Sequence, residues 1–499
     1  MTQSSRRIGV VDVGSNSVRL VVFDAMTRSP AYFFNEKVLC GLGADLHATG
    51  RLSVEGRARA MAAIRRFVLL ARLMGVRALD GIATAAVREA ADGAAFRDEV
   101  ERETGLRLRI ASGEDEARLA AQGVLLGWPG ADGVVADLGG ASLELARVGE
   151  GRVGMGRTFP LGPLRLAGVQ GGAAALDAVI DHALADARAI LDPAPERLFL
   201  VGGAWRALAK IHMTRERYPL QVLHEFELPA EVMLATAERV AEEDPKALAR
   251  QISASAARLA VTPLGARVLA RLIRAAAPRR VAVSAFGLRE GVLYEHLDPA
   301  QRAEDPLLSA ARDMERRQAR FPGFGDELDA WVRPLFPDAS PAMSRLITAV
   351  CLLSDVAWNS HPDYRDLACL ETVYRANISG VTHAERAFMG AALGYRYKSA
   401  RSRRQATPAA ELLTAEQLAQ ARVLGRGVRL GAMLAASAPG VLPRVALERA
   451  DKALRLRLPE DLADLAGEVV RKRLAAVAQS LKLAPEIAIG AAQAQPAEG

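Results

Sequence analysis

Two short stretches of this chain repeat one chemical design. In the first, the apolar run IGVVDV ends on Asp12, the small residues Gly14, Ser15, Asn16 and Ser17 follow, and a second apolar run, VRLVVF, resumes. In the second, GVVAD ends on Asp137, then Gly139, Gly140, Ala141 and Ser142 lead into LELAR, which carries Glu144. DVGSNSVRL and DLGGASLEL align without a gap, acid for acid and turn for turn. Each reads as a β-hairpin whose turn aims several backbone N–H groups at one anion, with Gly14 supplying conformations that a side chain opposes. A single copy is also what an ordinary hairpin looks like. Two copies facing each other across a cleft form a clamp for a phosphate chain, with a carboxylate on each side to hold Mg²⁺.

Other residues add to this chemistry. Arg88 lies just past a strand end, where its guanidinium either forks onto two phosphate oxygens or pairs with Asp92 four residues on. Glu114, Asp115 and Glu116 open a helix after Gly113. Acids in a first turn complement the helix dipole, whereas hydrolysis needs one positioned carboxylate to take a proton from water. Gly202 and Gly203 stand between a strand and a helix, a place that attracts anions, and Trp205 after them reads as core. Arg396–Arg404, RYKSARSRR, has five cations in nine residues. It is either a solvated linker or, through Arg401, Arg403 and Arg404, a landing site for a long polyanion.

The elements that must position these groups alternate. Strands are expected over 31–42, 78–84, 106–111, 197–201 and from about 278, beside the two hairpins. Between them run helices, one of which Ser53 caps and which reaches about Met74. Its arginines, Arg57, Arg59, Arg65, Arg66 and Arg72, read as a solvated face. Alternation of this kind defines an α/β class. From Asp305 the pattern turns helical, apart from a strand pair near 445–457 and a tail from about Ala484 that reads as disordered.

With 499 residues, half of them hydrophobic, the chain has material for three or four domains. Three cysteines without a CxxC pair point to a reducing cytoplasm and away from a thiolate zinc site. Seven residues precede the first strand and Asp12 interrupts its apolar run, which speaks against a signal peptide. No apolar run is long enough to cross a membrane. A net charge of +7 and a pI near 9.5 favour polyanionic partners. No nucleic-acid module is recognisable, so the loops decide for phosphate chains.

Taken in order, DVGSNSVRL, GIATAAVREA, SGEDEARL, DLGGASLEL, LVGG and GLREGVLYE resemble the exopolyphosphatase / guanosine pentaphosphate phosphohydrolase family of the actin-like phosphotransferase superfamily. TFPLGPLRL (158–166) is similar to a further segment of that family. The resemblance covers about the first 300 residues and implies two actin-like (ribonuclease H-like) lobes, 1–125 and 126–300, with the phosphate cleft between them. A mainly helical domain, 301–405, would follow, similar to HD phosphohydrolases but degenerate, because Ser354-Asp355 stands where a metal-binding His-Asp pair belongs. A small domain, 406–499, would complete the chain. The family's catalytic glutamate aligns with Glu116, which implies that Glu114 and Asp115 are helix-start charges and that Arg88 meets phosphate. Asp137 and Glu144, with Asp12, would hold Mg²⁺, and Glu144 would also serve catalysis. Ala141 replaces a glycine of the family's GGGS turn. The implied activity is removal of the terminal phosphate of inorganic polyphosphate by a homodimer. Guanosine pentaphosphate, a non-catalytic phosphate sensor and a sugar kinase are the alternatives.

Overall fold

The computed structural model describes residues 7–397 and 408–490. The chain divides into two compact units, Met1–Pro306 and Leu307–Gly499. Arg401, Arg403 and Arg404, and the expected boundary at 405/406, lie outside the described residues.

The first unit holds two sheets. Strands β1 (Ile8–Val13), β2 (Ser17–Phe23), β3 (Tyr32–Leu39), β4 (Ala78–Ala83) and β5 (Leu108–Ile110) form one sheet in the order β3-β2-β1-β4-β5. Strands β6 (Gly133–Leu138), β7 (Leu143–Gly149), β8 (Arg152–Phe159), β9 (Arg197–Val201), β10 (Phe226–Pro229) and β11 (Arg280–Val283) form the other, ordered β10-β11-β9-β6-β7-β8. In each sheet three strands meander antiparallel and the next partners join parallel on the far side of the first strand. β10 adds an antiparallel edge to the second sheet. The two sheets therefore share one topology, as the repeated hairpins imply. β1 and β6 are apolar and buried nearly throughout, as strands covered on both faces must be.

The helices begin where their sequences say. Ser53 caps Val54–Leu73 by accepting from the Gly56 N–H. Four arginines of this helix, Arg59, Arg65, Arg66 and Arg72, are exposed, as a solvated face requires; Arg57 is half-buried and pairs with Asp92 at 2.8 Å. Trp205 is core, with its indole N–H donating to the Gly265 carbonyl.

The helices Gly113–Gly127 and Leu288–His296 cross at contact distance. A Cβ on Gly291 would stand 1.8 Å from the Leu119 carbonyl oxygen, and one on Gly123 would stand 2.1 Å from that of Gly287. Only glycine permits this approach. The crossing fixes Glu116 relative to Arg289, which the two helices carry.

The second unit is mainly helical, with Phe324–Val332, Pro341–Leu352, Arg365–Arg375, His383–Tyr397, Ala415–Leu434 and Glu468–Leu481 as its longer helices beyond Pro306–Gln318. The expected strand pair is present as β12 (Ala446–Arg449) and β13 (Ala453–Leu458). The expectation of a disordered tail from Ala484 is wrong as far as Gly490. Ala484–Ile489 is β14, paired parallel to β13, and its early Pro485 is tolerated because β14 is an edge strand. Cys351 and Cys369 are buried in helices.

Candidate active site

Both hairpin turns are closed in the same way. The Gly14 N–H donates to the Ser17 carbonyl at 3.0 Å, and the Gly139 N–H donates to the Ser142 carbonyl at 2.9 Å. The Ser15 carbonyl then accepts from Gly43, and the Asn16 carbonyl from Cys40 and Gly41. At the matching positions of the second loop, the Gly140 carbonyl accepts from Leu164 and the Ala141 carbonyl from Gly162. A trans peptide directs its N–H opposite its C=O. Tethering these carbonyls outward turns the N–H groups of Asn16, Ser17, Ala141 and Ser142 the other way, and both loops line one cavity.

None of Gly14, Gly139, Gly140 or Ala141 takes a positive φ. The expectation that Gly14 is needed for an unusual conformation is therefore corrected, and alanine at 141 costs the backbone nothing. Gly202 is the glycine the site does need. Its φ is 111°, and a Cβ there would press to 2.4 Å from the Leu138 carbonyl oxygen.

That cavity, about 350 Å³, gathers Asp12, Glu116, Asp137 and Glu144 with both loops and with Gly202 and Gly203. Strand register explains the placing. Asp137 lies directly across from Glu144, and Glu144 from Thr158, whose hydroxyl donates to the Glu144 carboxylate at 2.9 Å. In the first sheet the same ladder reads Asp12, Arg19, Lys37. Equivalent positions thus carry cations in one lobe and carboxylates in the other. Arg19, Lys37, Arg206, Arg258 and Arg289 all line the cavity.

These five cations were not named from the sequence. Three had a visible signal: Arg19 and Arg289 sit inside quoted motifs, and Arg206 follows LVGGAW. Lys37 enters only through its register with Arg19, and Arg258 only through the helix Ala256–Ala276. Arg289 pairs with Asp12 at 3.2 Å. Arg206 donates to the Ser284 carbonyl at 2.9 Å.

At the start of the Gly113–Gly127 helix the three acids separate. Asp115 forms a capping box with Ser112 and pairs with Arg118 at 2.9 Å, while Glu114 is exposed. Glu116 is buried toward the cavity and accepts from Arg88, which also donates to the Ala111 carbonyl at 2.7 Å. Arg88 therefore stands behind Glu116, and its alternative partner Asp92 is held by Arg57.

Burial raises the carboxyl pKa values. Glu116 is pushed up to about 7, with Arg88 opposing the shift and Asp137 and Asp12 adding to it. Burial likewise takes Asp137 up to about 6. Glu144 is held well above the usual carboxylate range by burial, then by Glu116 and Asp137. Asp12 is raised by burial against the pull of Arg289.

Among the described residues no three His, Cys, Asp or Glu side chains stand together as a metal site. The expected trio of Asp12, Asp137 and Glu144 is thus not assembled as one. Asp137 and Glu144 remain a facing pair of oxygen donors, which fits a hard cation completed by phosphate oxygens and water.

Two sheets of the same order with acid-bearing loops around one anion-lined and cation-lined cavity define a phosphate-handling protein of actin-like architecture. The chain belongs to the Ppx/GppA phosphatase family, whose model matches residues 21–300; residues 307–484 match the model described as exopolyphosphatase, C-terminal. It is 33% identical to exopolyphosphatase 1 of Mycobacterium leprae over 163 residues, which are 32% of this chain and 48% of that protein. The chain thus spans about half the length of the curated relatives it matches. The structure is similar to that of the Aquifex aeolicus Ppx/GppA family member (TM-score 0.51, 23% identity, 58% of this chain and 97% of that one). It is also similar to an exopolyphosphatase from Cytophaga hutchinsonii (TM-score 0.53, 21% identity, 58% and 97%).

Proposed function

We propose that this chain is an exopolyphosphatase that hydrolyses the terminal phosphoanhydride of inorganic polyphosphate. The observation that carries this is the cavity itself, where a buried glutamate of raised pKa meets two N–H-bearing loops and five cations. Glu116, turned into the site by its helix and held by Arg88, takes a proton from water. The water oxygen forms a bond to the terminal phosphorus, the bridging P–O bond breaks, and the shortened chain leaves with the bridging oxygen. Loop N–H groups and Arg19, Lys37, Arg206, Arg258 and Arg289 bind the non-bridging oxygens and stabilise their charge, the main source of catalysis in this reaction class. Asp137 and Glu144 would hold Mg²⁺, which when bound neutralises phosphoryl oxygens.

Guanosine pentaphosphate ends in the same terminal group and is the alternative substrate, and the working form is proposed as a cytoplasmic homodimer. No helix among the described residues is long and apolar enough to cross a membrane. The test is orthophosphate release with Mg²⁺ from polyphosphate and, in parallel, from guanosine pentaphosphate. Release should require Mg²⁺ and stop with a chelator. Tight binding of polyphosphate without any release would support a phosphate sensor instead, and turnover that needs an added sugar acceptor would support a kinase.

A further inference from the structure

The second unit contains a separate basic cavity of about 380 Å³, lined by Arg320, Arg365, Arg396, Arg429, Asp355, Trp358 and Tyr397, among others. It lies at Ser354-Asp355, where the related helical fold would hold a metal. The charge of the place is inverted: four guanidinium groups meet one carboxylate. That carboxylate, Asp355, is forked by Arg320 at 2.9 and 2.7 Å and lies 3.4 Å from Arg396.

Arg396 is nearly buried and is fixed from several sides. It donates to the Ser354 carbonyl at 2.6 Å and stacks over the Tyr397 ring at 4.6 Å. Arg365 donates to the Ser360 carbonyl at 3.1 Å, which leaves its terminal nitrogens for other partners. Among the described residues neither Arg365 nor Arg429 pairs with a carboxylate. Arg429 is pushed down to about 10, first by burial and then by the neighbouring cations Arg473 and Arg396. Half-covered guanidinium groups around one cavity suit the oxygens of a polyphosphorylated group, because each guanidinium presents two parallel N–H donors.

We infer that this cavity is a second anion site, distinct from the catalytic cavity, and that it takes a diphosphate group. A diphosphate brings negative charge on the scale of the surplus of three cations, which a single phosphate does not reach at neutral pH. Trp358, exposed at the wall with its indole N–H donating to the Gln318 carbonyl, is placed to report the ligand and to stack on a base if the diphosphate carries one. The inference rests on the second unit alone and stands whether or not the catalytic cavity hydrolyses polyphosphate.

The test is a tryptophan-fluorescence titration of the full chain with inorganic pyrophosphate, and in parallel with a nucleoside diphosphate. Glu116→Gln protein is used so that nothing is turned over. A saturable change is expected. Trp358→Phe should lose it, and Arg429→Gln and Arg365→Gln should each weaken the half-saturation concentration at least tenfold while keeping the wild-type circular dichroism. Saturation by pyrophosphate assigns the site to the free anion. Saturation by the nucleoside form alone adds the base as a recognised part. No saturable change with either compound, or a change that survives in both arginine variants, overturns the inference.

Discussion

Asp115 and Glu116 are neighbours in sequence and do opposite work. Asp115 turns back to cap its own helix, and Glu116, one residue on, points into the cavity, where the proposed reaction would have it activate water. Glu116→Gln keeps the shape and removes the base, so kcat should fall by ~10²–10⁴ with KM changed only several-fold, because loss of a positioned base has that cost. Steady-state kinetics on polyphosphate checks this, and Asp115→Asn should instead lower stability and leave kcat near wild type. Glu116 acts as base only when deprotonated, and its pKa in the free site is about 7. kcat/KM should therefore fall as pH drops below about 7 and level off above it. Arg88 opposes that rise in pKa, so Arg88→Gln should move the acid limb toward higher pH. A limb that stays in place would disconnect Arg88 from Glu116.

The hairpins were legible because an apolar run ending in an acid and a small-residue turn has few other uses, and because it occurs twice. The helix from Val54 was legible from its cap Ser53, whereas the cap Ser112 of the Gly113–Gly127 helix was not read from the sequence. The ladder Asp12, Arg19, Lys37 was not, since cross-strand register is a property of pairing that no local pattern carries. Strand β14 was missed because Ala-Pro-Glu-Ile has the composition of a tail, and only its ladder with β13 gives it structure. The crossing of the two central helices was equally invisible, yet it places Glu116. Gly291→Ala should strain it, lowering stability by about 1–3 kcal/mol and reducing kcat, since overpacked contacts cost that much. Thermal unfolding and kinetics would show both, and Gly130→Ala, where a Cβ meets nothing within 4 Å, should show neither.

For the whole protein, the site is a stability liability in the absence of ligand. Asp137 is pushed up to about 6 when folded, above its value in an unfolded chain, so the folded state binds more protons in that interval. Stability is therefore lost as pH rises from about 4 to about 6, and Glu144, raised more strongly, acts in the same direction. Asp137→Asn should accordingly raise the melting temperature at pH 7 while abolishing Mg²⁺-dependent turnover, a gain in stability bought with function. Equal melting temperatures for the two proteins at pH 7 would mean that Asp137 is not strained. At the other end of the chain, the sequence of the basic segment predicts that neutralising Arg401, Arg403 and Arg404 together raises KM for long polyphosphate and leaves short chains unchanged. Salt should mimic the triple variant.

The most direct measurement is orthophosphate release from polyphosphate in ¹⁸O-labelled water, with Mg²⁺, for the wild type and Glu116→Gln. At the initial rate on long chains, one labelled oxygen is expected in every orthophosphate released and none in the shortened chain, with release at least 100-fold slower in the variant. Label in the remaining chain, unlabelled orthophosphate, or a variant as fast as the wild type would contradict attack of Glu116-activated water on the terminal phosphorus.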